Sequence, residues 1–271
     1  MIVAKSICTM AQTPELDRSG ATTKAKQSVV ALSSISIIVP VFNEAALISP
    51  FLQHLRERAP DAELVVTDGG STDGTRKIAE PLCDKLVVSG PGRARQLNAG
   101  ARAANGEVLW FLHADSKVPV RCLQEIQKAV ADGNAAGGYF RIRLPSTRVI
   151  YRLTDGFAHY AGLVLHMRCG DHGLFCWRNA FFQSGGFPDV PLMEDVEFFR
   201  RLHRFGRVQA VRRRLTTSLR RYEALGALRV TCAYGLIATL YALGVPLRVL
   251  AAIYARTCEA SQASNARKPI F

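Results

Sequence analysis

Acidic side chains stand where apolar runs stop. Residues 35–42 (ISIIVPVF) end at Asn43 and Glu44, residues 62–67 (AELVVT) end at Asp68, and residues 107–112 (EVLWFL) end at His113, Ala114 and Asp115. A carboxylate followed by glycines, as in Asp68-Gly69-Gly70, suits hydrogen bonding to a ribose or base while the backbone comes close. The same run is also an ordinary β-turn with Asp73 as its cap residue. Asp115 offers the hard oxygen that a divalent cation takes beside substrate phosphates. His113, two residues earlier, lies on the same side of an extended chain, where it could meet metal or phosphate. A further acid pair, Glu194-Asp195, follows Pro191-Leu192-Met193 at the start of a helical pattern. Acids there complement the helix dipole or act as a general base, and the residues alone leave both open. His166, Cys169, His172 and Cys176 are donor types that zinc accepts, but they are packed into one stretch rather than two knuckles. That favours a loop of mixed roles.

The elements that must position these groups follow from periodicity. Continuous β-branched runs mark strands buried on both faces. Leu47, Phe51, Leu52 and Leu55 recur at helical spacing, with Asn43 expected to cap that helix and Glu44 in its first turn. Helices are expected over 75–82 and 94–104, and a third strand over 85–89. Alternation with short connections calls for βαβ units around a largely parallel sheet, and ligands bind beyond the carboxyl ends of such strands. Asn43/Glu44, Asp68 and Asp115 converge on that edge. After Pro119 the pattern gives a helix to Ala131, an alternating and antiparallel strand over 137–144, and a helix over 148–165. A strand over 173–178, a helix over 196–205 and a short strand over 207–211 follow. Arg212–Arg214 and Arg220-Arg221 read as a solvated face or as contacts for anionic head groups. Residues 230–247 carry no charge and just reach the length of a minimal span. Gly235, Gly244 and Pro246 interrupt them, which favours peripheral attachment to an anionic membrane surface, or burial as a helix pair.

Composition bounds the rest. The chain has 271 residues, 48% apolar and 21% charged, which excludes wholesale disorder and a small disulfide scaffold. Lys and Arg number 35 against 22 Asp and Glu, a net charge of +13 that favours polyanions or phosphate-bearing substrates. Seven widely spaced cysteines read as free thiols in a reducing compartment. No secretory signal is expected in the first 34 residues. There is no GxGxxG fingerprint and no Walker A loop. A nucleic-acid-binding protein would interleave basic and aromatic residues on one face, whereas here acids cluster at strand ends, so no nucleic acid is expected. A nucleotidyltransferase would want a Gly-rich, basic loop after the first strand, and Asn43-Glu44-Ala45 is not one.

These pieces, in this order, resemble the family 2 glycosyltransferases: Ile38-Val39-Pro40-Val41-Phe42-Asn43-Glu44, then residues 66–75 (VTDGGSTDGT), Leu112-His113-Ala114-Asp115 in the place of the DxD motif, Gly185-Gly186-Phe187, and Glu194-Asp195. Residues 92–101 (GRARQLNAGA), 170–173 (GDHG) and 191–198 (PLMEDVEF) are similar to the subgroup called arsenosugar-biosynthesis glycosyltransferases. The first Asp of DxD is His113 here, and the Gly-Asp-His-Gly stretch replaces the acceptor motif of processive members, which argues for a single transfer.

The resemblance implies a GT-A fold: a mostly parallel central sheet flanked by helices, over 34–218. It would be followed by a hydrophobic helical segment, 219–258, with loose tails at 1–33 and 259–271. It implies an inverting transfer from a nucleotide-diphosphate sugar, most simply a UDP-sugar, to a small or lipid-like acceptor. Asp195 would be the base and Glu194 its support. Asp115 would hold Mg²⁺ or Mn²⁺. Pro40, Asn43, Glu44, Asp68, Gly70, Arg93, His113 and Asp115 would line the nucleotide site, and Asp171 and His172 would meet acceptor or leaving group. A cytoplasmic enzyme, or one resting on the inner membrane face, is expected. The alternative is a membrane-bound lipid or carotenoid glycosyltransferase.

Overall fold

The run Ile35–Val41 forms β1, buried at every position but Pro40. In the structure, a computed structural model that describes residues 33–131, 133–164 and 167–259, β1 is an inner strand of the sheet. It pairs in parallel with β2 (Glu63–Asp68) on one side and with β4 (Val108–Phe111) on the other. β3 (Lys85–Val88) pairs with β2. The chain therefore leaves β1 for β2 and β3, then crosses back to lay β4 on the opposite flank. The carboxyl ends of β1 and β4 thus bracket a point where strand order reverses, the place where open α/β sheets bind ligands.

The second half of the sheet is mixed. β6 (Phe175–Trp177) runs antiparallel to β4 and to β5 (Ala135–Arg143), and β5 pairs in parallel with β7 (Arg207–Thr216). The order is β3-β2-β1-β4-β6-β5-β7. The strand expected to be antiparallel is thus antiparallel on one side and parallel on the other. β7 also outruns the short strand expected at 207–211 and carries Arg212–Arg214 along the sheet edge, where charge discourages edge-to-edge pairing.

Helices cover both faces. On one lie α1 (Ala45–Arg58), α2 (Thr75–Ala79) and α4 (Cys122–Val130), with Ile48, Phe51, Leu55, Ile126 and Val130 in one buried cluster with Trp110 and Phe140. On the other lie α3 (Arg93–Ala103), α6 (Arg178–Gln183) and α7 (Glu194–Leu202), whose Leu97, Ala101, Phe181, Phe198 and Leu202 share one buried cluster with Phe111. α3 sits unusually close to the sheet. A Cβ on Gly100 would stand 2.5 Å from Ile38 Cγ2 and 2.8 Å from Thr67 Cγ2, so only glycine fits.

α5 (Val149–Val164) and the last helices form an outer layer. The uncharged stretch stays helical through Gly235, contrary to expectation, and breaks only at Gly244 and Pro246. α8 (Arg220–Leu225) leads into α9 (Ala227–Ala242), a turn holds Gly244 at φ 80° before Pro246, and α10 (Leu247–Tyr254) follows. Val230, Ala233, Ile237 and Leu250 are buried, while Leu228, Leu236, Leu243 and Val249 are exposed. Among the described residues, no helix is long and apolar enough to cross a membrane. The tails expected at 1–33 and 259–271 lie almost wholly outside the described residues.

Candidate active site

The loop after β1 and the loop after β2 hold each other. Asn43 is left-handed, φ 54°, and does not cap α1 as expected. Its Oδ1 instead accepts the Thr72 N–H at 2.9 Å, and its own N–H donates to Ser71 Oγ. The open N–H groups of α1 are satisfied from the other loop: Glu44 N–H donates to Thr75 Oγ1 at 2.8 Å and Ala45 N–H to Asp73 Oδ2 at 3.0 Å. A helix N-terminus needs such acceptors, and residues 71–75 supply them across sequence. Asp68 is fully buried, and its carboxylate accepts N–H groups from Gly70 and Ser71, each at 3.0 Å to Oδ2. The acid therefore shapes the loop, leaving Gly70 exposed at its crest with φ 99°. Pro40 lies within β1, opposite Thr67.

α3 braces this edge, a role the sequence reading did not assign to its residues. Gln96 Nε2 donates to the carbonyls of Val41 at 2.7 Å and Thr67 at 2.9 Å, tying together the ends of β1 and β2. Asn98 clamps the Gly185-Gly186-Phe187 loop, donating to Phe187 O at 2.7 Å and accepting its N–H at 3.0 Å. Arg95 pairs with Asp189 at 2.9 Å. The signal was present in the spacing of Gln96, Asn98 and Gly100 on one short helix, but their partners are up to 89 residues away.

Two ionic clusters face each other above the edge. In the first, Arg93 at the start of α3 pairs with Glu194 at 3.5 Å and touches the ring of His113, and His113 Nε2 is 3.8 Å from Asp171. Asp171 belongs to a 3-10 turn, Gly170–His172, whose Gly170 N–H donates to Asp195 Oδ2. Asp195 Oδ1 accepts the Val196 N–H at 2.8 Å. Glu194 and Asp195 are both buried, and Met193 before them is held left-handed at φ 66°, a sparsely populated conformation of the kind found at functional sites. Burial first, and then Glu194 beside it, pushes the Asp195 carboxyl above its ordinary range, against the pull of Arg93 and the two N–H groups. Burial drives His113 well down, helped by Arg93 and Arg221, which favours the neutral ring. Crowding by protein, and then Asp115, pushes Asp171 up to about 6. Because 43% of its side chain still meets solvent, screening trims that rise. Crowding by protein opposes the charge on Arg93, 44% of whose side chain still meets solvent, but Glu194, Asp195 and Asp171 outweigh it and raise its pKa.

The second cluster was not legible in sequence. Arg220, at the start of α8, lies between Asp115 and Glu44, 3.4 Å and 3.5 Å from their carboxylates. Burial raises Glu44 despite this neighbour. Arg221 donates to Tyr234 and lies over the Tyr254 ring, 5.7 Å from its centroid. The pair read as a solvated or lipid-facing patch is therefore turned inward. Glu44 and Asp115 are hard oxygen donors of the type Mg²⁺ or Mn²⁺ takes, and Asp171 is close enough to Asp115 to feel its charge. Among the described residues no three His, Cys, Asp or Glu side chains stand together as a metal-binding group. The site fits a cation that draws its other ligands from phosphate and water, provided Arg220 yields.

Of the residues expected at one site, Arg93, His113, Asp171, Glu194 and Asp195 meet directly, and Glu44 and Asp115 meet through Arg220. His172 turns inward instead. It is buried, with Nδ1 3.2 Å from the Cys169 carbonyl and its ring edge-on to Tyr139. Cys169 touches His172, Cys176 is buried within β6, and His166 lies outside the described residues.

Known proteins resemble this chain in sequence and in fold. The sequence profile described as Glycosyl transferase family 2 matches residues 36–186. An uncharacterized glycosyltransferase of Nostoc is 31% identical over 111 residues, 38% of this chain and 34% of that protein. A PGL/p-HBAD biosynthesis glycosyltransferase of Mycobacterium bovis is 36% identical over 97 residues, 33% of this chain and 38% of that protein. The chain thus spans little more than a third of the length of these relatives. Among solved structures, a mannosyltransferase of Pyrobaculum calidifontis in complex with GDP-Man and Mn²⁺ superposes with a TM-score of 0.57 at 23% identity, covering 83% of this chain and 70% of that one. Glucosyl-3-phosphoglycerate synthase of Mycobacterium tuberculosis gives 0.53 at 20% identity, covering 79% and 81%. The fold is the GT-A arrangement that the resemblance implied.

Proposed function

The chain belongs to glycosyl transferase family 2, and from that premise we propose that it moves a sugar from a nucleotide-diphosphate donor to an acceptor hydroxyl by one inverting displacement. The observation that carries the reading is the buried Glu194-Asp195 pair facing Arg93 and His113 at the carboxyl edge of the sheet.

The acceptor oxygen attacks the anomeric carbon while the bond from that carbon to the diphosphate oxygen breaks. Asp195 takes the hydroxyl proton. Its raised basicity suits it, since a general base works best with a pKa near the operating pH. Glu194 holds Arg93, and Arg93 presents fixed positive charge to the leaving diphosphate. The neutral ring of His113 offers that group a hydrogen bond without competing for the cation. Asp171 stands between the two clusters, at the acceptor or leaving group. The crests at Asn43-Glu44 and Gly70, supported from beneath by Asp68 and Pro40, form the nucleoside floor. A divalent cation, held by Asp115 with Glu44 beside it, would supply neutralisation of the diphosphate charge.

UDP-sugars are the first donors to test, and the GDP-Man and UDP-Glc bound by the structural neighbours support a nucleotide-sugar. The likeness of residues 92–101, 170–173 and 191–198 supports a role with the arsenosugar-biosynthesis subgroup. A second reading, a membrane-surface enzyme with a lipid-like acceptor, is favoured by the exposed Leu228, Leu236, Leu243 and Val249 on α9 and α10. The test is a hydrolysis screen of nucleotide-sugars with Mg²⁺ or Mn²⁺. One donor should turn over above the rest, and an Asp195→Asn variant should turn it over at least about a hundredfold more slowly. No turnover of any donor, with no nucleotide binding, would sink the reading.

A further inference from the structure

Behind the turn that carries Asp171, the protein holds a second cavity of 330 Å³. Among the described residues, its lining includes four guanidinium groups, Arg141, Arg152, Arg168 and Arg214, and one carboxylate, Asp155. Arg141 and Arg214 are register partners on β5 and β7, and Arg152 and Asp155 come from α5. Arg168 is buried, lies over the Tyr139 ring at 4.6 Å and donates to its hydroxyl at 3.1 Å. His172 closes the inner wall.

Such a surplus of like charge around one hollow costs repulsion, and the cost at Arg168 is greater because the group is removed from water. Asp155 offsets one charge, and Arg214 and Arg152 are the cations that most restrain its burial-driven pKa rise. Its carboxylate also accepts the Leu144 N–H at 3.3 Å. The guanidinium groups of Arg141, Arg214 and Arg152, presented from two strands and a helix, offer the fork geometry that oxyanions accept.

The cavity is not remote from the reaction centre. His172 follows Asp171 directly and Gly170 donates to Asp195, while Tyr139 packs edge-on against both His172 and Phe199, one turn along α7 from Asp195. We infer that this cavity binds the oxyanion of an acid-bearing acceptor, a phosphate ester or a carboxylate, and so orients its hydroxyl toward Asp195. The inference rests on the glycosyl-transfer reading for the acceptor's role, but the anion site itself can be tested alone.

Inorganic phosphate is the probe. Its binding to the full chain is measured by calorimetry with and without saturating UDP and Mg²⁺, so that the donor site is blocked in one arm. Phosphate should bind in both. The exposed rim pair Arg152→Ser/Arg214→Ser, which does not disturb the buried floor, should weaken it by about tenfold or more, the scale of losing charge-assisted hydrogen bonds. UDP affinity should stay within about twofold. Phosphate binding that vanishes when UDP is present, or that survives the double substitution unchanged, would overturn the inference. Phosphatidic acid vesicles distinguish the source of the anion. Sedimentation with them that depends on Arg152 and Arg214, while free phosphate also binds, assigns the site to a lipid-borne phosphate. Vesicle binding through those residues with no affinity for free phosphate would overturn a cavity that encloses a single oxyanion. Failure to bind UDP would count against the donor reading alone, because the UDP-free arm still reads the anion site.

Discussion

Replacing Asp195 by asparagine would separate the proposed base from its structural duties. Both carboxylate oxygens accept backbone N–H groups, Val196 at 2.8 Å and Gly170 on the turn that bears Asp171. Asparagine has one oxygen, so its amide nitrogen must face one of those donors, at a cost of about 1–3 kcal/mol. Against this, removing a desolvated charge beside Glu194 relieves a strain of similar order. The net change in stability should therefore stay within about 2 kcal/mol, a melting shift of at most about 8 °C at roughly 2–4 °C per kcal/mol for a chain of this size. Loss of a general base slows the chemical step by about 10²–10⁴-fold, or roughly 3–5 kcal/mol of barrier. The rate effect should thus exceed the folding effect. The assay is single-turnover transfer with saturating donor, with UDP affinity measured in parallel. The pH profile adds a second readout. Asp195 must be ionised to accept a proton, so the rate should fall as pH drops through a value above the usual aspartate range, and the residual rate of Asp195→Asn should lack that limb. For stability the sign is opposite: a carboxyl whose folded pKa exceeds its unfolded value lowers stability above that pKa, and the loss is recovered as pH falls through it. Transfer by Asp195→Asn at the unmodified rate, with Glu194→Gln inactive, would exchange the two roles. Normal transfer by both would make the pair a helix cap.

Asp115→Ala should cut transfer by at least about a hundredfold and abolish the Mn²⁺-dependent part of UDP binding; full turnover in excess chelator would refute this. Arg220→Met removes the cation that competes at Glu44 and Asp115, so the Mg²⁺ concentration for half-maximal UDP binding should fall, and a rise would mean that Arg220 itself holds the diphosphate. Gly100→Ala gains about 1 kcal/mol of helix propensity but forces a methyl against Ile38 and Thr67, an overpacking cost of about 1–3 kcal/mol. A lower melting temperature with slower transfer is expected, since α3 carries Gln96 and Arg93, and an unchanged melting temperature would show that the helix can retreat freely. Leu236→Ser/Leu243→Ser should reduce sedimentation with phosphatidylglycerol vesicles while donor hydrolysis stays intact, and equal sedimentation would rule out α9 as the membrane contact.

Much of the sheet was readable because its signals are local. The runs at 35–42, 62–67 and 107–112 are largely apolar, as strands buried on both faces must be, and each stops at a polar residue on the carboxyl edge of the sheet. The same holds for Glu194-Asp195, fixed at a helix start by the pattern after it. The break at Gly244 and Pro246 was likewise local, since one residue takes a positive φ and the other ends hydrogen bonding. What the sequence could not give were relations between distant segments. Asn43 has the right type for a helix cap, but residues 71–75 take that task because the parallel pairing of β1 and β2 sets the two loops side by side. Asp68 and His172 carry reactive groups, yet packing turns both inward. Arg220 looks like surface charge until the last helices fold back, 105 residues after Asp115, and set its guanidinium between two carboxylates. The anionic preference of the second cavity has the same origin: its arginines are scattered from 141 to 214, and only the pairing of β5 with β7 under α5 concentrates their charge around one space.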